Sequence, residues 1–575
     1  MPPPDQTGVP EPGRLITGVA RRGGPWLAIL AVTALTGAVA DLALPHLLGR
    51  TVDTLVTGGA AGPVLWACVA VVALIVVCDV LGILAGGAGG ARATAWLRHR
   101  TVRHILDTGV ASTRRFTHGD LLTRTGVNAE EVGRAPEAVI NAATLVIPAA
   151  GSLVVLTLVD PWLSLTLAVG LVLIAVVLRA FFHETTGVAA DYQQAQGDIS
   201  ARLLDALTGA RTIAAAGTAA EETRRVLVPL PRLREAGLRL WRVHANAGVQ
   251  AAVVVPFLEI AVLSVGGVRL AQGALTVGEL LAAARYVVLG AGIASALGYV
   301  GRVARARAAA RRVAGLFELP AVPYGDGFLP GGPGRLELRG VGVRLDGRDI
   351  LADVDLTVPG GSCVAVVGAV GAGKSTLAAV AGRLLDPDTG TVLLDGIPLR
   401  RLSADELRGA VGYAFELPVL LGATVADAVG FGARVPGEER IRAAAREAGA
   451  DGFIRRLPHG YATAIAQAPM SGGEAQRIGL ARAFARDGRL LVLDDATSSL
   501  DTVTERQVTA ALTERLGDRT RLIVTHRVAT AARSDRVVWL QDGRVRAYAS
   551  HQVLWENPEY RAVFQTALPD SGGTP

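Results

Sequence analysis

Residues 362–378 join a short apolar run, a glycine-rich loop and a segment of small residues, a succession typical of strand, loop and helix. Within it, Gly368, Gly373, Lys374 and Ser375 fit the pattern G-x-x-x-x-G-K-[ST], in which backbone N–H groups surround phosphate oxygens at a helix N-terminus. In such a loop the lysine neutralises the β- and γ-phosphates and the hydroxyl binds Mg²⁺. The predicted nucleotide-binding residues of this loop are Gly368, Gly371, Gly373, Lys374, Ser375 and Thr376.

Lys374 is the only lysine in 575 residues, although lysine and arginine together number 57. An ammonium is a compact point charge, whereas a guanidinium is a planar group suited to bidentate partners. The chain therefore keeps its one lysine where a small cation must sit among phosphate oxygens, which strengthens the prediction of nucleotide binding.

A second apolar run, residues 490–493, ends in Asp494 and Asp495. A buried strand that delivers an acid beside a phosphate-binding loop supplies a Mg²⁺ ligand in many nucleotide-hydrolysing proteins. We therefore expect Asp494 to complete the Mg²⁺ site together with Ser375.

Between these two motifs, Ser471, Gly472, Gly473 and Glu474 open a helical pattern. A hydroxyl and exposed N–H groups at a helix N-terminus form an anion site. A single phosphate-binding loop does not need this second site, but a nucleotide held between two subunits does.

The elements that must position these residues include membrane spans. The mean hydropathy is +0.39, and 50% of residues are hydrophobic against 19% charged, which is too apolar for a wholly soluble chain. A span needs about 20 apolar residues to cross roughly 30 Å of hydrocarbon. The predicted spans are residues 26–48, 63–86, 136–159, 162–182, 247–271 and 276–300.

Arginine placement predicts the orientation. The net charge of +6 resides largely in arginines between spans two and three and between spans four and five, without the interleaved aromatic residues that stack on bases. Arginine-rich connections stay on the cytoplasmic side, so we expect both termini in the cytoplasm, a multi-pass protein of the bacterial plasma membrane, and no nucleic-acid partner. Helical periodicity in the two connections predicts that spans two to five continue as helices beyond the bilayer.

The fold class predicted from these patterns is a membrane all-α six-helix domain with long cytoplasmic helix extensions, followed by an α/β P-loop nucleotide-binding domain. The predicted domains are an N-terminal cytoplasmic segment (1–25), the transmembrane domain (26–317), a linker rich in proline and glycine (318–334), the nucleotide-binding domain (335–570) and a tail (571–575).

Ionisable residues within the spans leave two interpretations open. Charges at membrane depth usually face a bundle interior or a wet cavity, so Asp41, Asp79, Glu259 and Arg285 are candidates for a substrate path. Structural ion pairs or interfacial positions would explain them equally well. The three cysteines lie in apolar runs without metal-site spacing, and predict neither disulfides nor zinc.

Taken together, these motifs resemble those of an ABC transporter half of the type I exporter fold, over nearly the whole chain. Residues 368–376 match Walker A, 471–474 the signature motif and 490–494 Walker B. Asp501 falls in the D-loop motif and His526 at the switch histidine. The resemblance implies ATP and Mg²⁺ as cofactors and two such chains in a bilayer, each ATP lying between Walker A of one and the signature of the other.

Three positions depart from the family pattern. Leu345 stands where an aromatic residue usually stacks on adenine, and Glu416 replaces the glutamine that contacts the metal shell. Asp495 replaces the catalytic glutamate and is one methylene shorter, although it would still act with His526 and Glu416 at the reaction centre. These changes favour the degenerate-site member of a heterodimer, with a homodimer as the alternative.

The predicted function is an ATP-driven exporter half moving an amphipathic or hydrophobic substrate, whether peptide, lipid, siderophore or drug. A siderophore-type importer on the same fold is one alternative. An ATP-gated channel or nucleotide sensor is another, from a different class of protein.

Overall fold

The computed structural model describes residues 12–292, 296–345, 347–432, 434–514 and 516–565. The chain divides into two compact units, with the main boundary between Leu319 and Pro320. Everything described before that boundary is helical or a connection between helices, whereas the part after it contains every strand in the described ranges.

The helices before Pro320 are α1 Pro12–Gly23, α2 Pro25–Val56, α3 Gly62–Asp107, α4 Val110–Arg115, α5 His118–Thr123, α6 Ala129–Gly133, α7 Ala135–Thr144, α8 Val146–Val159, α9 Pro161–Thr208, α10 Ala210–Ala216, α11 Ala219–Val226, α12 Leu230–Ala271, α13 Val277–Ala291 and α14 Ala296–Ala314. One π turn, Arg124–Asn128, joins α5 to α6.

Three of these helices far exceed the thickness of a bilayer. Helices α3, α9 and α12 contain 46, 48 and 42 residues. At about 1.5 Å per residue each is more than about 60 Å long, roughly twice the hydrocarbon core. The prediction of continuing helices is therefore confirmed for spans two, four and five, whereas the stretch that contains the third span, His118–Val159, is divided into several helices.

By length and composition, four described stretches could each cross a membrane: Pro25–Val56, Gly62–Asp107, His118–Val159 and Val253–Ala271. The predicted fourth span coincides with the start of α9, where Pro161–Val176 is a shorter apolar helix. The predicted sixth span covers α13 and the start of α14, and residues 293–295 within it lie outside the described part. Glu279 and Arg285 also lower its apolar character.

Polar contacts tie the short connections at one end of this helical unit. Asp160 accepts a hydrogen bond from the Trp162 amide at the start of α9 and pairs with Arg269 of α12, Nε to Oδ2, at 2.7 Å. Asp53 of α2 accepts hydrogen bonds from the Thr276 hydroxyl and the Gly278 amide, which fixes the start of α13. These acids therefore hold hairpin ends, whereas Asp41, Asp79, Glu259 and Arg285 form no ion pair within the described residues.

After the boundary, the described residues include ten strands, which form two sheets. They are β1 Leu336–Leu345, β2 Arg348–Val358, β3 Cys363–Val367, β4 Thr389–Leu394, β5 Ile397–Pro398, β6 Val411–Phe415, β7 Leu490–Asp494, β8 Thr520–Val524, β9 Arg536–Gln541 and β10 Arg544–Ala549. One sheet is antiparallel, in the order β2-β1-β4-β5; the other has the order β10-β9-β3-β8-β7-β6 and is parallel except at β10.

The helices of this second unit are α15 Lys374–Ala381, α16 Ala404–Ala410, α17 Val425–Gly430, α18 Glu438–Glu447, α19 Asp451–Ile454, α20 Gly472–Phe484, α21 Thr502–Glu514, α22 Val528–Arg533, α23 His551–Trp555 and α24 Pro558–Gln565. The predicted parallel α/β sheet is present. The antiparallel sheet beside it has no counterpart in the prediction, because an alternating strand pattern does not reveal which sheet a strand joins.

Strand register determines where the site lies. Phe415 of β6 pairs with Asp494 of β7, which pairs with Val524 of β8, which in turn pairs with Val366 of β3. The four carboxyl ends therefore meet at one edge of the sheet. In open α/β sheets, ligands bind outside this edge.

The proline-rich stretch before β1 is fastened to the second unit. Arg383, a buried residue after α15, donates hydrogen bonds to the carbonyls of Pro323 and Leu399 and lies over the ring of Tyr324. Arg408 donates to the Tyr324 hydroxyl. Residues 320–334 thus follow the surface of this unit, since the Arg383 and Arg408 side chains hold Pro323 and Tyr324.

Candidate nucleotide-binding site

The phosphate-binding loop lies between β3 and α15. β3 is buried along its whole length, and Gly373, with φ of +95°, is the N-cap of α15. A Cβ on Gly373 would come within 2.8 Å of the Ile350 carbonyl oxygen, and a Cβ on Gly368 within 2.3 Å of that of Leu540. Both positions therefore require glycine, and Gly371 also has a left-handed backbone, with φ of +83°.

Lys374 folds over this loop. Its Nζ donates hydrogen bonds to the carbonyl oxygens of Gly368 and Ala369, each at 2.9 Å. Burial lowers the pKa of the ammonium, while the nearby carboxylates of Asp495 and Asp494 act in the opposite direction. The cation thus lies between the loop carbonyls and the acids at the end of β7. Thr376, two residues further along α15, is half-buried.

Ser375 and Asp494 are in direct contact, as expected for two ligands of one metal ion. The Ser375 hydroxyl donates to Asp494 Oδ1 at 3.0 Å, and the Tyr413 hydroxyl lies 3.5 Å from Asp494 Oδ2. Burial raises the pKa of Asp494, and the charges of Asp495 and Glu416 raise it further. A divalent cation would favour the ionised carboxylate, so this pair fits Mg²⁺.

Mg²⁺ typically takes one or two protein ligands and completes its octahedron with water and phosphate oxygens. Within the described ranges, three or more His, Cys, Asp or Glu residues nowhere gather into a group that could hold a metal alone. The hydroxyl and carboxylate donors of Ser375 and Asp494 therefore match an ion that is shared with a nucleotide.

Glu416 follows β6 and is exposed. Its charge raises the pKa of Asp494, and it directly follows Phe415, which pairs with Asp494 in the strand register. Its backbone carbonyl accepts a hydrogen bond from Gln476 at 3.1 Å. The structure therefore brings Glu416 to the same edge as Ser375 and Asp494.

Asp495 and His526 form the other polar pair of the edge. His526 Nδ1 lies 3.1 Å from Asp495 Oδ1. Asp495 has φ of +47°, a left-handed conformation that aspartate tolerates better than most residues. The carboxylate that stands at the predicted base position is thus already engaged by the predicted switch histidine.

The signature residues form a capping box at the start of α20. The Ser471 side chain accepts a hydrogen bond from the Glu474 amide at 3.3 Å, and Glu474 Oε2 accepts from the Ser471 amide at 2.9 Å and hydroxyl at 3.0 Å. The hydrogen bond from the Ser471 amide is the main cause that lowers the pKa of Glu474. Gly472 and Gly473 follow as the first two helical residues, as expected for an anion site, while the hydroxyl itself is held by Glu474.

Asp501 caps α21. Its carboxylate accepts hydrogen bonds from the Val503 and Thr504 amides, both at 3.0 Å, and from the Thr504 hydroxyl at 2.7 Å. Leu345, at the end of β1, pairs with Arg348 and packs half-buried against the sheet core. The structure thus gives Asp501 and Leu345 local structural contacts.

Two residues that the sequence analysis did not assign connect these parts. Gln476 of α20 is only 1% exposed and contacts the segments after β6 and β7. Arg527 donates to the carbonyls of Ser498 and Leu500 and pairs with Glu505. Gln476 could have been identified from its helical spacing, since it lies on the same buried face of α20 as Leu480 and Ala483.

The chain is similar to known protein families and to proteins of known name. Residues 27–289 match the family described as "ABC transporter transmembrane region", and residues 351–498 match "ABC transporter". The "ABC transporter ATP-binding protein RamA" of Streptomyces coelicolor is 49% identical over 537 residues, which cover 93% of this chain and 84% of the relative. The "ATP-dependent lipid A-core flippase" of Chromobacterium violaceum is 31% identical over 440 residues, covering 74% of this chain and 75% of the relative.

Among solved structures, "Structure of a bacterial Atm1-family ABC exporter with ATP bound" superposes with a TM-score of 0.77. The match covers 98% of this chain and 99% of that chain at 24% sequence identity. At this identity the likeness concerns the fold.

Proposed function

The chain belongs to the ABC transporter family as a half-transporter, with a transmembrane region joined to an ATPase domain, and we propose that it is an exporter half with a weakened ATP site. The site uses ATP and Mg²⁺ and couples ATP hydrolysis to transport. The proposed partner is a second, non-identical half-transporter chain in the plasma membrane. A homodimer is the alternative that the experiment below must exclude.

The contact between Ser375 and Asp494 carries the ATPase part of this proposal. When bound, Mg²⁺ would supply positive charge that offsets the negative charge developing during phosphoryl transfer. Ser375 and Asp494 would hold it, with Glu416 beside them. Lys374 would exchange its contacts with loop carbonyls for the phosphates, and the Gly371 and Gly373 backbone would approach them closely.

Asp495 carries the proposal of a weakened site. A general base must reach the proton that it abstracts, and displacement of a catalytic group by about 1 Å can cost about a hundredfold in rate. The Asp495 side chain is one methylene shorter than glutamate and is engaged by His526 at 3.1 Å. Both facts support slow hydrolysis at the site built on this chain's own Walker motifs.

The signature motif of this chain would contact the ATP that is bound to its partner chain. Gly472 and Gly473 present backbone amides at the start of α20, a 13-residue helix whose dipole favours an anion there. Ser471 would contribute its hydroxyl once Glu474 releases it. The proposed arrangement therefore pairs a weak site on this chain with a competent site on the partner.

The test compares two matched substitutions in the purified heteromeric pair. D495N in this chain is expected to leave steady-state ATPase within about twofold, because the affected base contributes little. The equivalent amide substitution in the partner's catalytic acid is expected to abolish turnover. Equal losses from both, or full activity of this chain purified alone that D495N abolishes, would refute the asymmetric arrangement.

The substrate is proposed to be amphipathic or hydrophobic. A cavity of about 670 Å³ between α9 and α12 is lined almost wholly by apolar side chains, among them Val169, Leu173 and Phe257. Such a groove suits an acyl chain or an apolar peptide face. Flux in oriented vesicles, with ATP supplied on the face of the nucleotide-binding unit, distinguishes export from siderophore-type import by its direction.

A further inference from the structure

Gln476 makes an unusual set of contacts for a single side chain. Its Nε2 lies 3.1 Å from the Glu416 carbonyl oxygen, 3.3 Å from the Asp495 carbonyl oxygen and 3.1 Å from Ser498 Oγ. Its Oε1 accepts a hydrogen bond from the Ser499 amide at 3.0 Å. Four groups from the two segments that follow β6 and β7 therefore converge on one buried amide.

Only an amide of this length satisfies all of them. The two hydrogens of Nε2 serve three oxygens, while Oε1 serves a donor, so the position needs a donor and an acceptor at the same end of the side chain. A glutamate would turn a carboxylate oxygen towards two carbonyl acceptors, and only the Ser498 hydroxyl could donate to it. A methionine of similar shape would leave buried polar groups unpaired, and each such group is costly.

We infer that Gln476 is a positioning residue that couples the two nucleotide sites of the assembled transporter. Its helix, α20, begins with the residues proposed to contact the partner's ATP. Its amide holds the backbone of Asp495, which belongs to the chain's own site, and the segment 498–499 that leads into α21. A displacement at either site is therefore transmitted to the other through this side chain.

This inference rests on the proposed function, because the role of α20 towards a partner's nucleotide belongs to that proposal. The contacts themselves lie within one chain. They predict that the segment 495–500 is held in place by Gln476 whether or not a partner hydrolyses ATP.

The experiment uses full-length chains in lipid nanodiscs with the partner chain present. Q476E and Q476M are each expected to lower the kcat of the pair about tenfold or more, because the segments are displaced by a fraction of an ångström to 1 Å. The Kd for MgATP is expected to stay within about twofold, because Lys374 and Ser375 do not contact Gln476. Q507E is the matched control, since Gln507 is an exposed glutamine on α21.

A second readout does not depend on turnover. Hydrogen–deuterium exchange of the peptide covering residues 495–500 is expected to accelerate in Q476E and Q476M, because the Ser499 amide loses its acceptor geometry or its acceptor. S498A removes one of the four contacts without altering Gln476, and is expected to give a smaller loss of kcat. It keeps the inference testable if the other two variants fold poorly.

The outcomes are separable. Unchanged kcat, unchanged exchange of residues 495–500, or a Kd that rises in step with the fall in kcat would each overturn the positioning role. If the wild-type pair shows no transport-coupled ATPase, the proposed function fails, while the exchange measurement and MgATP binding still decide whether Gln476 holds this segment.

Discussion

Restoring the length of the side chain at position 495 should restore activity at this chain's own site. The substitution is D495E, made in a pair whose partner carries the inactivating amide substitution of its catalytic acid. All remaining turnover then comes from the site formed by Lys374, Ser375 and Asp494. One added methylene extends the carboxylate by about 1.5 Å, comparable with the displacement that costs about a hundredfold in rate.

The expected gain is therefore between about tenfold and a hundredfold in kcat, equivalent to about 1.4 to 2.7 kcal/mol of barrier. It is opposed by backbone strain, because a residue other than glycine pays about 1–2 kcal/mol in the left-handed region and aspartate tolerates it better than glutamate. D542E is the matched control, since Asp542 also has positive φ, at +50°, and lies in the turn between β9 and β10.

The assay is steady-state phosphate release at saturating MgATP, with thermal unfolding of each variant in parallel. An increase in kcat for D495E, without one for D542E, would support the short side chain as the cause of weak hydrolysis. No gain, with a thermal midpoint shifted no more than in D542E, would refute that reasoning. The weakness would then lie elsewhere in the site, for example at Glu416.

Two further predictions concern titrating groups. Burial and neighbouring acids raise the pKa of Asp494, so its ionised form lowers the stability of the fold at pH above that raised pKa. D494N should therefore raise the thermal midpoint of the protein at neutral pH, and should abolish the further rise that MgATP gives. D518N, at an exposed aspartate, should do neither. Burial lowers the pKa of His551, whose Nδ1 lies 2.9 Å from the Tyr560 hydroxyl. Below about pH 6.5 the unfolded chain therefore binds more protons at this histidine than the folded chain does, and the stability of the fold decreases as the pH drops. H551N should flatten that part of the midpoint-against-pH curve; an unchanged slope between pH 7.5 and 5.5, measured beside H459N at an exposed histidine, would contradict the assignment.

The motif around Lys374 was predictable because its chemistry is local. Glycine spacing, a lysine, a hydroxyl and two flanking elements are contiguous, and the Ser375–Asp494 contact follows once β3 and β7 are recognised as parallel strands. The long helices were equally accessible, since apolar length and helical periodicity are properties of short windows.

What could not be predicted depends on groups distant in sequence. Gln476 donates to oxygens in two loops, one after β6 and one after β7, and no spacing rule relates those loops to α20. The capping box shows a second limit: Ser471 was predicted as an anion ligand, yet the same short segment lets Glu474 hold its hydroxyl. Local pattern identifies which groups are present, whereas their partners are determined by the packing of the sheet edge.

Because Lys374 is the only lysine, it can be labelled selectively. Its ε-amine is the only one in the chain, and because burial lowers its pKa, a larger fraction of it is the neutral, nucleophilic amine at a given pH than for a solvated lysine. An amine-directed acylating reagent therefore finds one side-chain target, located in the phosphate-binding loop. The protein comes with a built-in chemical handle on its nucleotide site, without any introduced cysteine or tag.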